Sequence, residues 1–120
     1  MKINIDEKEL SIKFNVSETI FGLHGNFRIP LENIVSASDK TPDRTWLRGM
    51  RFGTNTGFYK AGTFFTKDGK EYWNYLRGKP YLTIELKDHS YKRITLGTEN
   101  NKYLTEIING KVKHKHHRGD

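Results

Sequence analysis

The chain of 120 residues is long enough for one domain, too short for two ordinary ones, and able to bury a core without covalent staples. It has no cysteine, which excludes disulfides, thiolate metal sites and thiol catalysis. Of the formal net charge of +7, Lys111, Lys113, Lys115 and Arg118 against Asp120 place three units in the final segment, so the body is only mildly basic.

Hydrophobic residues make up 34% of the chain, but seven Phe, six Tyr and two Trp supply much apolar area each, which predicts a small, ring-rich core. Met1 is followed within a few residues by the charged run Asp6-Glu7-Lys8-Glu9, and no segment reaches the roughly 18 to 20 apolar residues of a membrane-spanning helix. A cytoplasmic protein is expected.

The first regular signal is the alternation of Leu10, Ile12 and Phe14 with Ser11, Lys13 and Asn15, a strand over Glu9 to Asn15 with one face buried. Ile20 to Ile29 reads as a second apolar segment, broken by a bend or bulge at Gly22 and Gly25. Pro30 cannot donate a ladder hydrogen bond and belongs at a strand end or edge. Ile34 to Ser38 is a short strand running into the turn Asp39 to Arg44, and Trp46 to Gly57 reads as an irregular strand and loop.

Asp68-Gly69 suits a tight hairpin turn, so Ala61 to Thr66 should pair antiparallel with Lys70 to Tyr75. A second hairpin joins Tyr81–Leu86 to Tyr91–Leu96 through Asp88-His89-Ser90, with Leu82, Ile84, Leu86, Ile94 and Leu96 inward and Thr83, Glu85, Arg93 and Thr95 outward. The period then changes. Thr98 as N-cap, Glu99 in the first turn and the stripe Tyr103, Leu104, Ile107, Ile108 predict a helix of about three turns closed by Gly110. Residues 1–110 form one domain on this reading, and Lys111 to Asp120 is a basic, His-rich solvated tail.

Six or seven short antiparallel strands followed by one helix define a mainly β fold, in which the helix covers an open end or an inter-sheet gap. Trp46 to Ile108, above all Gly57-Phe58-Tyr59-Lys60-Ala61-Gly62-Thr63-Phe64, Lys67-Asp68-Gly69-Lys70-Glu71-Tyr72-Trp73 and Leu82-Thr83-Ile84-Glu85-Leu86, resembles the bacterial pleckstrin-homology-like (PH-like) domain proteins. The resemblance implies an antiparallel β-barrel or sandwich of about seven strands capped by one C-terminal α-helix. It also implies an intracellular bacterial module with no agreed catalytic residues. Eukaryotic relatives of that fold often hold phosphoinositides on basic residues between their first strands; here Val16 to Gly25 offers only His24.

Two clusters invite a functional reading. Arg44, Arg48, Arg51 and Lys60 surround Gly49, Gly53 and Gly57, and guanidinium forks beside exposed amides could hold a phosphate or carboxylate; the alternative is scattered surface cations beside a glycine-rich connection. No glycine precedes Lys-Ser or Lys-Thr, so nucleotide hydrolysis has no support. The rings Tyr59, Trp73 and Tyr75, with Phe58, Tyr72 and Tyr81 near them, read as core or partner interface, with a nucleic-acid stacking platform as the competing use. Asp68, Glu71, Glu85 and Asp88 form no recognisable catalytic pair, no Ser or Thr has a His and acid partner, and His114, His116 and His117 lack the fixed surroundings of a metal site. These residues predict a non-enzymatic module without cofactor or metal. Its expected partner is another protein or a second copy, with anionic lipid headgroups or nucleic acid as the alternative.

Overall fold

The structure is a computed structural model that describes residues 1–42, 51–55 and 59–118. The first alternating segment forms β2 (Glu9–Lys13), flanked in an antiparallel sheet by β1 (Lys2–Ile5) and β3 (Phe27–Pro30). Ile3 pairs with Ile12 and Ile5 with Leu10, while Leu10 also pairs with Ile29 and Ile12 with Phe27. Apolar residues in directly opposed pairs share one face, so this small sheet has a single apolar side. Pro30 ends the edge strand β3, where its missing N–H costs no ladder bond. β1 was not anticipated, although Ile3 and Ile5 already alternate.

The Ile20 to Ile29 expectation fails in its first half. Val16–Gly22 is a helix, α1, because Asn15 and Glu18 form a reciprocal capping box: Glu18 N–H donates to Asn15 Oδ1 at 2.8 Å and Asn15 N–H to Glu18 Oε1 at 2.9 Å. The Asn-x-x-Glu spacing was present in the sequence and outweighs the apolar run that follows.

The larger sheet contains β4 (Ile34–Ser38), β5 (Arg51–Asn55), β6 (Tyr59–Thr66), β7 (Gly69–Leu76), β8 (Tyr81–Leu86) and β9 (Tyr91–Gly97), in the order β4-β8-β9-β7-β6-β5. Both predicted hairpins form. Thr66 pairs with Gly69 across a Lys67-Asp68 turn, and Gly69 takes the φ of +130° that closes it. Tyr81–Leu86 pairs with Tyr91–Gly97.

The pairing between the hairpins was not legible. β9 inserts between β7 and β8, parallel to β7 and antiparallel to β8. The four-residue link from Leu76 to Tyr81 therefore spans one strand, and Lys79 N–H to Leu76 O and Tyr75 Oη to Lys79 O hold it. The expectation of about seven antiparallel strands is thus corrected: nine strands lie among the described residues, in two sheets that do not close into a barrel.

The two sheets share one core. Leu10, Ile12, Phe27 and Ile29 meet Tyr72, Leu82, Ile84, Leu86, Ile94 and Leu96, and Leu104, Ile108 and Val112 of α2 (Asn101–Arg118) join them. These three helical positions recur every four residues, so the buried stripe runs past Gly110 and carries the helix with it. The solvated tail from Lys111 is corrected accordingly: residues 111–118 are helical, Val112 is buried, and Lys111 contacts Glu7. Tyr103, expected in the apolar stripe, is exposed instead. Asn109 of α2 closes the edge of β4, accepting from Ala37 N–H at 2.7 Å and donating to Ala37 O at 3.0 Å.

The opposite face of the larger sheet is also covered. Phe64, Trp73 and Tyr75 form a second buried cluster with Tyr81 against it, and Tyr75 and Tyr81 stack at 4.2 Å. The central strands β7, β8 and β9 are therefore buried on both sides. Thr83 and Thr95, read as solvent-facing, are interior residues.

Candidate functional site

Most large apolar side chains go into these two cores, but α1 keeps its own outside. Val16 is 75% exposed, Ile20 60% and Leu23 67%, with Phe21 and Leu76 half-exposed beside them on the same end of the molecule. Phe21 packs T-shaped against Tyr59, whose cross-strand partner is Leu76, so the patch continues from helix to sheet.

The helix bearing this patch is firmly seated. Asn74 Nδ2 donates to Glu18 O at 3.3 Å and to Tyr72 Oη at 3.1 Å, while its Oδ1 accepts from Tyr59 Oη at 2.6 Å. Burial pushes the Tyr72 hydroxyl up to about 12, so it stays neutral within this network. Gly22 is the contact point: a Cβ built there would lie 2.1 Å from Tyr72 Oη. Only glycine lets the last turn approach the sheet so closely.

Leu23 then caps the helix in the left-handed conformation, with φ 54° and ψ 37°. That conformation favours Gly or Asn and strains a branched apolar residue. A strained, solvent-facing leucine beside an immobilised apolar helix adds nothing to folding that Asn would not supply.

The residues singled out from sequence are dispersed. Arg44 and Arg48 lie outside the described residues. The backbone of Arg51 is in β5 opposite Phe64, and Lys60 in β6 pairs with Asn55 and Tyr75, four positions further along the ladder. Tyr59 is half-buried beneath α1, whereas Trp73 and Tyr75 are buried in the second cluster and present no outward surface. The interface aromatics are corrected to this extent: two of the three are core, and the exposed apolar surface sits on α1. The signal that could have found it was the capping box, which starts a helix at Val16 and so places Val16, Ile20 and Leu23 on one flank instead of leaving Ile20 and Leu23 in the apolar segment read over Ile20 to Ile29.

Among the four carboxylates considered, Glu71 and Glu85 converge on Arg93. Arg93 Nη1 donates to Glu71 Oε2 at 2.6 Å, Nη2 donates to Glu85 Oε1 at 2.9 Å, and Nε donates to Glu85 Oε2. Burial pushes the Glu71 carboxyl up to about 7 against the pull of Arg93 and a smaller contribution from the Trp73 indole, whose Nε1–H makes no hydrogen bond of good geometry. Hydrogen bonding to Glu85 holds the Arg93 pKa up. No group of three or more metal-ligating side chains occurs among the described residues.

Comparison with protein-family models, curated proteins and solved structures finds no match to this chain. No helix among the described residues is long and apolar enough to cross a membrane.

Proposed function

We propose that this chain is a non-enzymatic bacterial binding or assembly module of PH-like type, with the cytoplasm as its expected location, acting through protein-protein contact or self-association at the α1 surface. The observation that carries this reading is the exposure of Val16, Ile20 and Leu23 on a helix anchored by Gly22 and the Asn74 network. Exposed apolar residues on a preorganised element lose little entropy when covered. Strands followed by one core-covering helix support the PH-like assignment.

Light scattering after size exclusion, at high micromolar concentration, tests self-association. The wild type should exceed the 14.0 kDa monomer mass. Ile20→Asp with Leu23→Asn, the latter compatible with the left-handed backbone, should restore a monomer without lowering thermal stability. A wild type that stays monomeric removes self-association. Failure to cross-link to any partner in bacterial extract, in addition, overturns the whole reading.

A second reading is recognition of anionic lipid headgroups or nucleic acid by Arg44, Arg48, Arg51, Lys60 and the basic C-terminal segment. Its support is that Lys111, Lys113 and Lys115 lie on an ordered helix. Binding to anionic vesicles or single-stranded DNA, with and without residues 111–120, should then weaken steeply with salt. Absence of binding at both low and physiological salt removes it.

A further inference from the structure

The small sheet turns a polar face outward, because Leu10, Ile12, Phe27 and Ile29 point into the shared core. Strand register fixes which polar groups meet on that face. Lys2 lies opposite Lys13, and Ser11 lies between Asn4 of β1 and Arg28 of β3. Asn26 immediately precedes β3, and its Oδ1 accepts from Phe14 N–H at 2.9 Å. This bond pins the side chain beside the end of β2 and leaves Nδ2 as a donor.

Like charges directly opposite each other destabilise a sheet, yet Lys2 and Lys13 form such a pair. Both are exposed, and neither makes an ion pair among the described residues. Arg28 donates from Nε to Glu9 Oε2 at 2.8 Å, which leaves its two Nη groups for another partner. Glu18, the carboxylate on the α1 side, is already engaged by Asn15 N–H and, at 3.2 Å, by the N-terminal amine. Three cations against Glu9 leave two positive charges on this face. A cleft of about 350 Å³ opens on it, lined by Ser11, Lys13, Asn26, Phe27 and Arg28. Lys13 and Arg28 are diagonal neighbours across β2 and β3, about 7–8 Å apart, a spacing that long side chains close around one small group.

We propose that this cleft binds a phosphate monoester, carried by a soluble metabolite or by a lipid headgroup. Near neutral pH such a group has close to two negative charges and three strong acceptor oxygens. The cleft supplies the converse: the Lys13 ammonium, the Arg28 Nη groups and Asn26 Nδ2 are donors, and Lys2 adds charge from the neighbouring strand. A carboxylate or a phosphodiester brings one charge where two are unmatched, and a cation meets repulsion from Lys2 and Lys13. None of these residues belongs to the α1 surface or to the set Arg44, Arg48, Arg51 and Lys60, so the inference is independent of both readings above.

The test is titration of the full chain with inorganic phosphate at about pH 8, where the dianion dominates, with ionic strength held constant by sodium chloride. Backbone amide resonances report the site. We expect saturable shifts concentrated at Ser11, Lys13, Asn26 and Arg28, which acetate produces at least tenfold more weakly. Lys13→Gln and Arg28→Gln should each weaken binding at least tenfold, and Lys2→Gln several-fold. Lys13→Gln should also raise the thermal midpoint of the free protein, because it relieves the Lys2 repulsion. Phosphatidylcholine vesicles containing phosphatidic acid, whose headgroup is a phosphate monoester, separate the sources. Sedimentation with them that free phosphate reverses and Lys13→Gln abolishes assigns a lipid headgroup; saturation by free phosphate without sedimentation assigns a soluble ligand. No saturable shift, an equal response to acetate, or wild-type affinity in folded Lys13→Gln and Arg28→Gln overturns the proposal.

Discussion

Glu71→Gln should make the protein more stable at neutral and alkaline pH while leaving it nearly unchanged at mildly acid pH. Glu71 is fully buried, and burial raises its carboxyl to about 7 against the pull of Arg93, which gives it one hydrogen bond and also binds Glu85. In the unfolded chain the same carboxyl titrates near its ordinary value of about 4.3. Between these values the folded chain retains a proton that the unfolded chain has released. The unfolded state binds fewer protons, so stability falls as pH rises through this window, by about 1.4 kcal/mol per unit, and levels off above the folded value.

The whole window corresponds to a loss on the order of 3 kcal/mol. Gln has the same shape, still accepts from Arg93 through its carbonyl oxygen, and has no proton to lose. Urea denaturation of both proteins between about pH 5 and about pH 8 isolates this group, because the histidines titrate in both and cancel in the difference. The variant's advantage should grow with pH to on the order of 3 kcal/mol. A difference that is constant with pH, or that favours the wild type increasingly as pH rises, refutes the reasoning: attraction to Arg93 would then outweigh desolvation.

Two further substitutions probe how the elements are seated. Gly22→Ala places a methyl 2.1 Å from the buried Tyr72 hydroxyl, so α1 or Tyr72 must shift. The expected cost in denaturation is about 1–3 kcal/mol, and a negligible change would show that α1 is not held where its network places it. Truncation after Gly110 removes the burial of Val112 and the Lys111 contact with Glu7. It should cost about 2 kcal/mol, mostly from Val112, whereas unchanged stability would return residues 111–120 to the status of a solvated tail.

Local chemistry carried a large part of the fold. The Asp68-Gly69 dipeptide, the alternation of Leu82, Ile84 and Leu86, and the period change after Thr98 are decided within a few residues of chain, so the two hairpins and the presence of the C-terminal helix were readable, although the helix begins at Asn101, past the expected cap at Thr98 and first-turn Glu99. Val16 to Gly22 was equally local but sent two signals, an apolar run and an Asn-x-x-Glu box, and the hydrogen bonds of the box prevailed. The helix passes Gly110 because Val112 has a core to enter, which no propensity announces.

The site was less legible than the fold. The sequence by itself determined which groups were available: no thiol chemistry, abundant rings, a mild positive charge and two well-formed hairpins. Only the tertiary structure decided that β9 lies between β7 and β8. That insertion buries both sides of the central strands, takes Trp73 and Tyr75 out of any surface role, and brings Glu71 and Glu85 onto one arginine. Strand pairing is a contest among distant segments settled by burial on both faces, and alternation within one strand reports only its own two sides.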